Sequence, residues 1–279
     1  MIQREASMPM ATRWWSSTMA VRLMSFTYLT LMLIIPLAVI VQDGFQDGVA
    51  GFWQAISRPV PMSALLLSLW TAGVMACINA VMGLLTAYVL VRYEFPGKAL
   101  LNGIVDLPFA IPTLVTGVML VVLYGPQQVL GSWLDRTFGL KIMFAPPGII
   151  LALLFVTFPF VVRTVQPVLE ALDRDQEEAA ATIGAGAWTT FRRVVLPALA
   201  MPVASGALLS FARAMGEFGA VVVVAGNIPL RTQTAAVYVF GEVESENRRA
   251  ASAMSLVMLT IAFSLVVLVD WLQRRREDG

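Results

Sequence analysis

The chain has 279 residues, 58% of them hydrophobic and only 13% charged, with a formal net charge of +1. A soluble domain carries roughly 25% charged residues, so an ordinary soluble globule is excluded. The absence of histidine removes the commonest proton shuttle and metal ligand, and the single cysteine, Cys77, excludes a disulfide within the chain and reads as a small buried residue. The near-zero charge says little about partners, and no nucleic-acid partner is expected.

A helix needs about 20 apolar residues to cross a bilayer core, and helices and closed barrels are the only spanning solutions. Charge-free runs of that length occur at 23–42, 59–91, 107–134, 142–162, 194–212 and 250–269. They are too long for barrel strands. Residues 1–22 form a polar lead longer than a signal peptide needs, and no small-x-small cleavage site follows Val41, so the first run is expected to be a retained helix. The second helix is expected to start near Ser63 and the third to end near Tyr124. Pro146 and Pro147 suit the start of the fourth. The fifth is expected to continue past Arg213 and Glu217 toward Ala225. The expectation is an all-α integral membrane protein with one six-helix transmembrane domain, residues 23–272, and a basic tail, 273–279, with no further domain after the sixth helix.

Lys and Arg placement sets orientation. With the N-terminus inside, the inner segments carry Arg4, Arg13, Arg22, Arg92, Lys98, Arg163, Arg174, Arg192, Arg193, Arg274, Arg275 and Arg276, against Arg58, Arg136, Lys141, Arg231, Arg248 and Arg249 outside. Both termini are then cytoplasmic. So is the segment around 173–197, which contains "EEAAATIGAGAWTTFRRVVLP".

Asp175 followed by Glu178 reads as an Asp version of a capping box. Residues 176–183 favour helix, and Gly184 and Gly186 supply the flexible positions at which such a helix ends. A second short helical stretch, 187–194, leads to Pro197, a helix-start residue for the fifth span. The segment is therefore helix, glycine bend, helix. Small Ala179 and Ala180 let another surface approach closely, beside Ile183 and the charged Glu177 and Glu178. A helix this short is marginal alone. It is either an interfacial helix packed under the bundle or a docking element for a partner.

Other residues stand out against the apolar background. Asp106 is expected to cap the third helix. Pro108 and Pro112 leave carbonyls without donors, which makes either a bend lining a cavity or a packing kink. Arg213 and Glu217, four apart on a helix, share a face; they read as a mutual salt bridge or as a gate on a pathway. "RYEFPGK", residues 92–98, reads as a turn. It holds no nucleotide-binding loop, since Arg92 stands where the glycine should be and Ala99 where Ser or Thr should be. The methionines, Met119 and Met143 among them, read as packing.

The spacing Glu178-Ala179-Ala180, Gly184, Val194, Leu196-Pro197 resembles the EAA loop of bacterial ABC importer permeases, with Val194 where that family usually has Ile. "DLPFAIPT" (106–113), "FARAMGEFGA" (211–220) and "AGNIPLRTQT" (225–234) resemble the sulfate/thiosulfate permeases and the molybdate permeases, and "VLVRYEFPGKALLNGIVDLPFAIPTLV" is similar to the T subunit of the former. The resemblance implies the six-helix domain of a binding-protein-dependent, type I importer with cytoplasmic coupling helices, sited in the bacterial inner membrane. It implies that Glu178, Ala179, Ala180, Gly184, Val194, Leu196 and Pro197 couple to a separate ATPase, and that the pathway lies between this chain and a homologous W-type permease subunit. Asp106, Pro108, Pro112, Arg213 and Glu217 are then the pathway or gate candidates. The implied partners are that subunit, an ATPase dimer, an external sulfate-binding protein and the lipid bilayer. This chain itself would hold no cofactor, metal or catalytic site; ATP and Mg would be bound by the ATPase. The resemblance leaves a molybdate or tungstate importer open as the alternative. A stand-alone secondary transporter lacks an alternating-access repeat pair, and an intramembrane enzyme lacks a catalytic constellation.

Overall fold

The computed structural model describes residues 10–277, with side chains from 19 to 271. Of the segments expected to be cytoplasmic, residues 1–9 and 278–279 therefore lie outside the described residues, as do the side chains of Arg13 and Arg274 to Arg276. Helices account for all regular structure among the described residues. Five are long and apolar enough to span a membrane, or six if one pair bent by 111° counts as a single span. The first span, Met19–Gly44, joins α1 (Met10–Leu29) to α2 (Ile35–Gly44) through a π-turn at Thr30–Ile34. A short α3 (Gly48–Ser57) precedes the second span, α4 (Pro59–Arg92).

Helix α4 starts at Pro59 rather than near Ser63. Proline clashes with a helical residue before it, and Arg58 is accordingly extended, with φ −63° and ψ 152°. The same rule starts α8 (Pro146–Ala171) after an extended Ala145, as the two prolines led one to expect. It also breaks the third span, which ends at Tyr124 as expected but starts earlier and is bent in its middle. Helix α5 (Lys98–Ala110) begins nine residues earlier than 107, directly after Gly97 at φ +90°. It stops where Ile111, pushed to φ −87° and ψ 126° by Pro112, turns the chain into α6 (Thr113–Tyr124). Pro108 stays inside α5, so Pro112 makes the break.

After an amphipathic α7 (Val129–Phe138) and α8 come α9 (Arg174–Thr182), α10 (Ala187–Thr190) and α11 (Leu196–Met215). Pro197 does not begin a separate helix. Ala187–Met215 is one 29-residue helix with a π-turn at Phe191–Val195, in which Leu196 N–H donates to the Phe191 carbonyl. Widening the helix there accommodates a proline ring that would otherwise strike the carbonyl four residues back. The π-turn before Pro36 is built the same way, with Ile35 N–H reaching Thr30. Helix α11 ends at Met215, not near Ala225; Gly216 to Phe218 separate it from α12 (Gly219–Ala225). Then come α13 (Ala235–Glu244) and the last span within α14 (Arg248–Glu277).

Helix α8 is the central post, packed on α4, α5, α6, α11 and α12. One apolar cluster fills the end of the bundle at Arg58, around Met75, Ile149, Val221 and Met254. Another fills the end at Arg92, around Leu84, Val161, Leu169 and Leu199. Between them Asn79 of α4, 1% exposed, donates from Nδ2 to Thr157 Oγ1 of α8 at 2.9 Å. Such polar contacts fasten helices in lipid, where burial alone does not drive association. Gly83 and Gly206 let α4 and α11 close on Val161 of α8: a Cβ on Gly206 would lie 2.8 Å from Val161 Cα. That atom is backbone and cannot yield, so Gly206→Val is expected to push α11 off α8 and cost about 3 kcal/mol, read as a lower unfolding temperature of the purified protein in detergent. An unchanged temperature would show that the interface is looser than this spacing.

Candidate functional site: a bent helical segment at the Arg92 end

At the Arg92 end the chain leaves α8, makes α9, turns, and re-enters the bundle through α10. Asp173, not Asp175, caps α9: its Oδ1 accepts from Asp175 N–H at 3.0 Å. Helix α8 runs to Ala171, so only two residues remain before α9, and the first acid in "DRD" takes the cap. At the other end Gly184 has φ +86°. Its N–H reaches the Ala181 carbonyl at 2.9 Å, and Ala185 N–H reaches Ala180 at 3.1 Å. These two bonds are those of a Schellman motif, in which the left-handed position favours glycine.

None of the nine residues of α9 is buried. Glu178 and Ala179 are exposed and Ala180 half-buried, while Ile183 and Trp188 stand 86% and 71% exposed at the turn. Val194, Leu196 and Pro197 lie apart from these, on the stem. Leu196 packs against the cluster at this end, and Pro197 is exposed. The residues singled out in the sequence thus separate into an outward face, a glycine hinge and a stem continuous with a spanning helix. Glu177 is not part of the outward rim. It pairs with Arg92 at 2.6 Å, with side-chain exposures of 18% and 8%. The sequence reading missed this pair, since nothing local links positions 85 residues apart.

The other candidates fall at two further places. Asp106 lies inside α5 and caps nothing. It takes Arg163 of α8 in a two-point grip, Nε to Oδ1 at 2.7 Å and Nη2 to Oδ2 at 2.5 Å. Asn102 and Gln166 accept the remaining guanidinium protons at 2.6–3.0 Å. Arg163, counted from sequence among the loop charges, is therefore a helix-to-helix fastener, and all its donors are used. Asp106→Ala is expected to weaken the α5–α8 contact by about 2 kcal/mol, with Asp106→Asn milder; thermal unfolding of both variants checks the order. Pro108 lines an apolar groove of about 610 Å³ in the crook of the α5–α6 bend, together with Asn79, Thr116, Met119 and Phe158. The groove's walls carry no charge, so they offer a dianion nothing in return for its hydration.

Arg213 and Glu217 sit toward the opposite end of α11. They are not on one helix, because α11 ends between them, yet they pair at 2.8 Å. The Glu217 side chain is 1% exposed and that of Arg213 is 37%. The second Glu217 oxygen accepts Ala220 N–H at 3.0 Å and so holds the start of α12. Residues 225–234 form a compact loop above: Thr232 Oγ1 donates to the Ala225 carbonyl at 2.6 Å, and Ala235 N–H docks on Ser68 Oγ of α4 at 2.8 Å. Asp106 and Arg213 are thus at different heights of the bundle and do not share one site. Among the described residues no group of acidic or cysteine side chains could hold a metal ion.

The family model described as "Binding-protein-dependent transport system inner membrane component" matches residues 79–278. The chain is 44% identical over 262 residues to the "Probable sulfate transport system permease protein cysT" of Nephroselmis olivacea, covering 92% of each. It is 41% identical over 251 residues to the "Sulfate transport system permease protein CysT" of Escherichia coli (strain K12), covering 90% of each. A CysW protein of Synechocystis sp. is 42% identical over 248 residues, 89% of this chain and 90% of that one. Among solved structures, the crystal structure of a bacterial alginate ABC transporter in complex with alginate pentasaccharide-bound periplasmic protein contains a chain that matches with a TM-score of 0.77 at 17% identity. The match covers 95% of this chain and 96% of that one, and it speaks for the fold.

Proposed function

The chain belongs to the family of binding-protein-dependent transport system inner membrane components, and from that premise we propose that it is one of two membrane-spanning subunits of an ATP-driven sulfate and thiosulfate importer. The observation that carries the reading is the segment at the Arg92 end: an exposed short helix, a glycine hinge, and a stem that runs unbroken into a 29-residue helix. That is the shape a lever needs. A push on α9 from a separate ATPase reaches α11 without crossing a flexible joint other than Gly184 to Gly186. In this reading Glu178, Ala179 and Ala180 meet the ATPase, Gly184 sets the angle, and Val194, Leu196 and Pro197 form the root of the lever.

The ATPase dimer holds the ATP and Mg, and this chain supplies no cofactor site. A homologous W-type subunit completes the pathway, and an external binding protein delivers the anion and provides most of the selectivity. The excess of Lys and Arg on the Arg92 side survives the reassignment of Arg163 to a helix interior, which supports an inner-membrane orientation with both termini and the lever in the cytoplasm. Pro112 sets the broken span beside the pathway. Asp106 and Pro108 act at its inner half, and Arg213 with Glu217 anchors its outer rim.

Sulfate as cargo is supported by the relatives named as sulfate permeases; molybdate or tungstate is the alternative, since residues 225–234 resemble both groups. The test is uptake of labelled sulfate by the complete complex in the presence of competing oxyanions. Thiosulfate is expected to compete at concentrations similar to sulfate, and molybdate and tungstate only at a large excess. The reverse order would reassign the cargo.

A further inference from the structure

We infer that Arg92 is a positioning residue that fastens the lever to α4, so that the segment moves two spanning helices rather than one. The inference rests on the coupling reading above and adds a second arm to it. A nine-residue helix has little stability of its own, and α9 buries no residue against the bundle. What holds it is polar. Arg92, the last residue of α4, is 8% exposed at its side chain, and its Nη2 meets Glu177 Oε1 at 2.6 Å. The same nitrogen donates to the Leu172 carbonyl at 3.2 Å, in the connection that precedes α9. Arg174 donates back to the Val91 carbonyl at 3.4 Å.

The far half of the segment is tied to the same helix. Tyr88, one turn before Arg92, meets Phe191 edge-on with ring centroids 5.2 Å apart, and Trp188 stacks on Phe191 at 5.7 Å. The end of α4 is therefore gripped on both sides of the glycine hinge. α11 is connected to the lever by its own backbone, whereas α4 is connected by one ion pair, two side-chain-to-backbone hydrogen bonds and one aromatic contact. The ion pair is the shortest of these ties, and its loss is expected to weaken the transfer of a displacement of α9 to α4. The guanidinium suits this task because one planar group can reach a carboxylate and a backbone carbonyl together.

The test uses the complete complex in proteoliposomes, with uptake and ATP hydrolysis measured on the same preparation and assembly checked by gel filtration. Arg92→Met and Glu177→Gln are each expected to lower anion uptake at least tenfold. Hydrolysis should stay within about twofold of the unmodified complex and assembly should be unchanged. Arg92→Lys, which keeps the charge, is expected to retain a third or more of the uptake. The double variant Arg92→Met/Glu177→Gln is expected to be no worse than either single, because the two act as one unit. Multiplying losses in the double variant, or uptake and hydrolysis falling in parallel, would overturn the inference. So would normal uptake by Arg92→Met while Glu178→Arg abolishes it, an outcome that leaves the coupling reading standing. Normal uptake by both Arg92→Met and Glu178→Arg would overturn the two together.

Discussion

Gly184→Val or Glu178→Arg in the assembled transporter is expected to abolish uptake while ATP hydrolysis continues uncoupled and the chain still inserts. The two variants act through different physics. Gly184 sits at φ +86°, and no atom lies within 4 Å of where its Cβ would go. The effect of valine is therefore on the backbone alone. A non-glycine residue in the left-handed region costs about 1–2 kcal/mol, more for a β-branched one, and the chain can relieve that cost by leaving the Schellman turn. The angle between α9 and the stem then changes. Gly184→Ala, with the same angle problem and less bulk, should lose part of the coupling, and Gly186→Ala should lose little because Gly186 has φ −71°. Glu178→Arg instead reverses a charge on the exposed face without touching the turn. A loss of about tenfold or more in uptake per ATP hydrolysed, equivalent to roughly 1.4 kcal/mol of coupling, is the expected size for each. Normal uptake by both variants would remove the lever from the account.

Arg213→Gln is expected to impair assembly or uptake, with a loss of about 3 kcal/mol in stability. The reason lies in its partner. The Glu217 carboxylate is 1% exposed and depends on Arg213 for its only ion pair among the described residues. Removing the guanidinium leaves a buried charge with a single backbone N–H from Ala220. Thermal unfolding of the purified complex reads the loss. Arg213→Gln/Glu217→Gln should recover most of it, since a neutral pair can be buried at far lower cost. If Arg213→Gln leaves both the unfolding temperature and uptake unchanged, the pair is a bystander. If stability recovers in the double variant while uptake does not, Arg213 has a part in the pathway beyond packing.

Much of this architecture was legible because the bilayer sets a length that composition must meet. The charge-free runs at 23–42, 59–91, 194–212 and 250–269 each fall inside a single span, and Pro146, Pro147, Gly97 and Gly184 act where their backbone preferences place them. The failures come from side-chain contacts and helix lengths that residue spacing alone does not show. The start of α5 was hidden because Asn102 and Asp106 look like loop residues until Arg163 is seen to satisfy them. The end of α11 was hidden because an apolar run continues to Ala225, while Gly216 and a buried carboxylate decide the break. Asp173 and Asp175 are equally good caps in isolation, and the length of α8 chooses between them. For the candidate site, the hinge and the exposed face were readable from spacing. Arg92 could be noticed only as the charge that closes a 33-residue apolar run, with nothing to say that it reaches Glu177. Helices α3, α7 and α13 have 10 residues each, too few to span, and read as loops between spans.

The most direct test of the account is ATP-dependent uptake of labelled sulfate into proteoliposomes, comparing this chain alone with the chain reconstituted beside its homologous permease subunit, the ATPase and the binding protein. Uptake is expected only from the full assembly, dependent on ATP and abolished by Gly184→Val. Sulfate uptake by this chain alone without ATP would contradict the account.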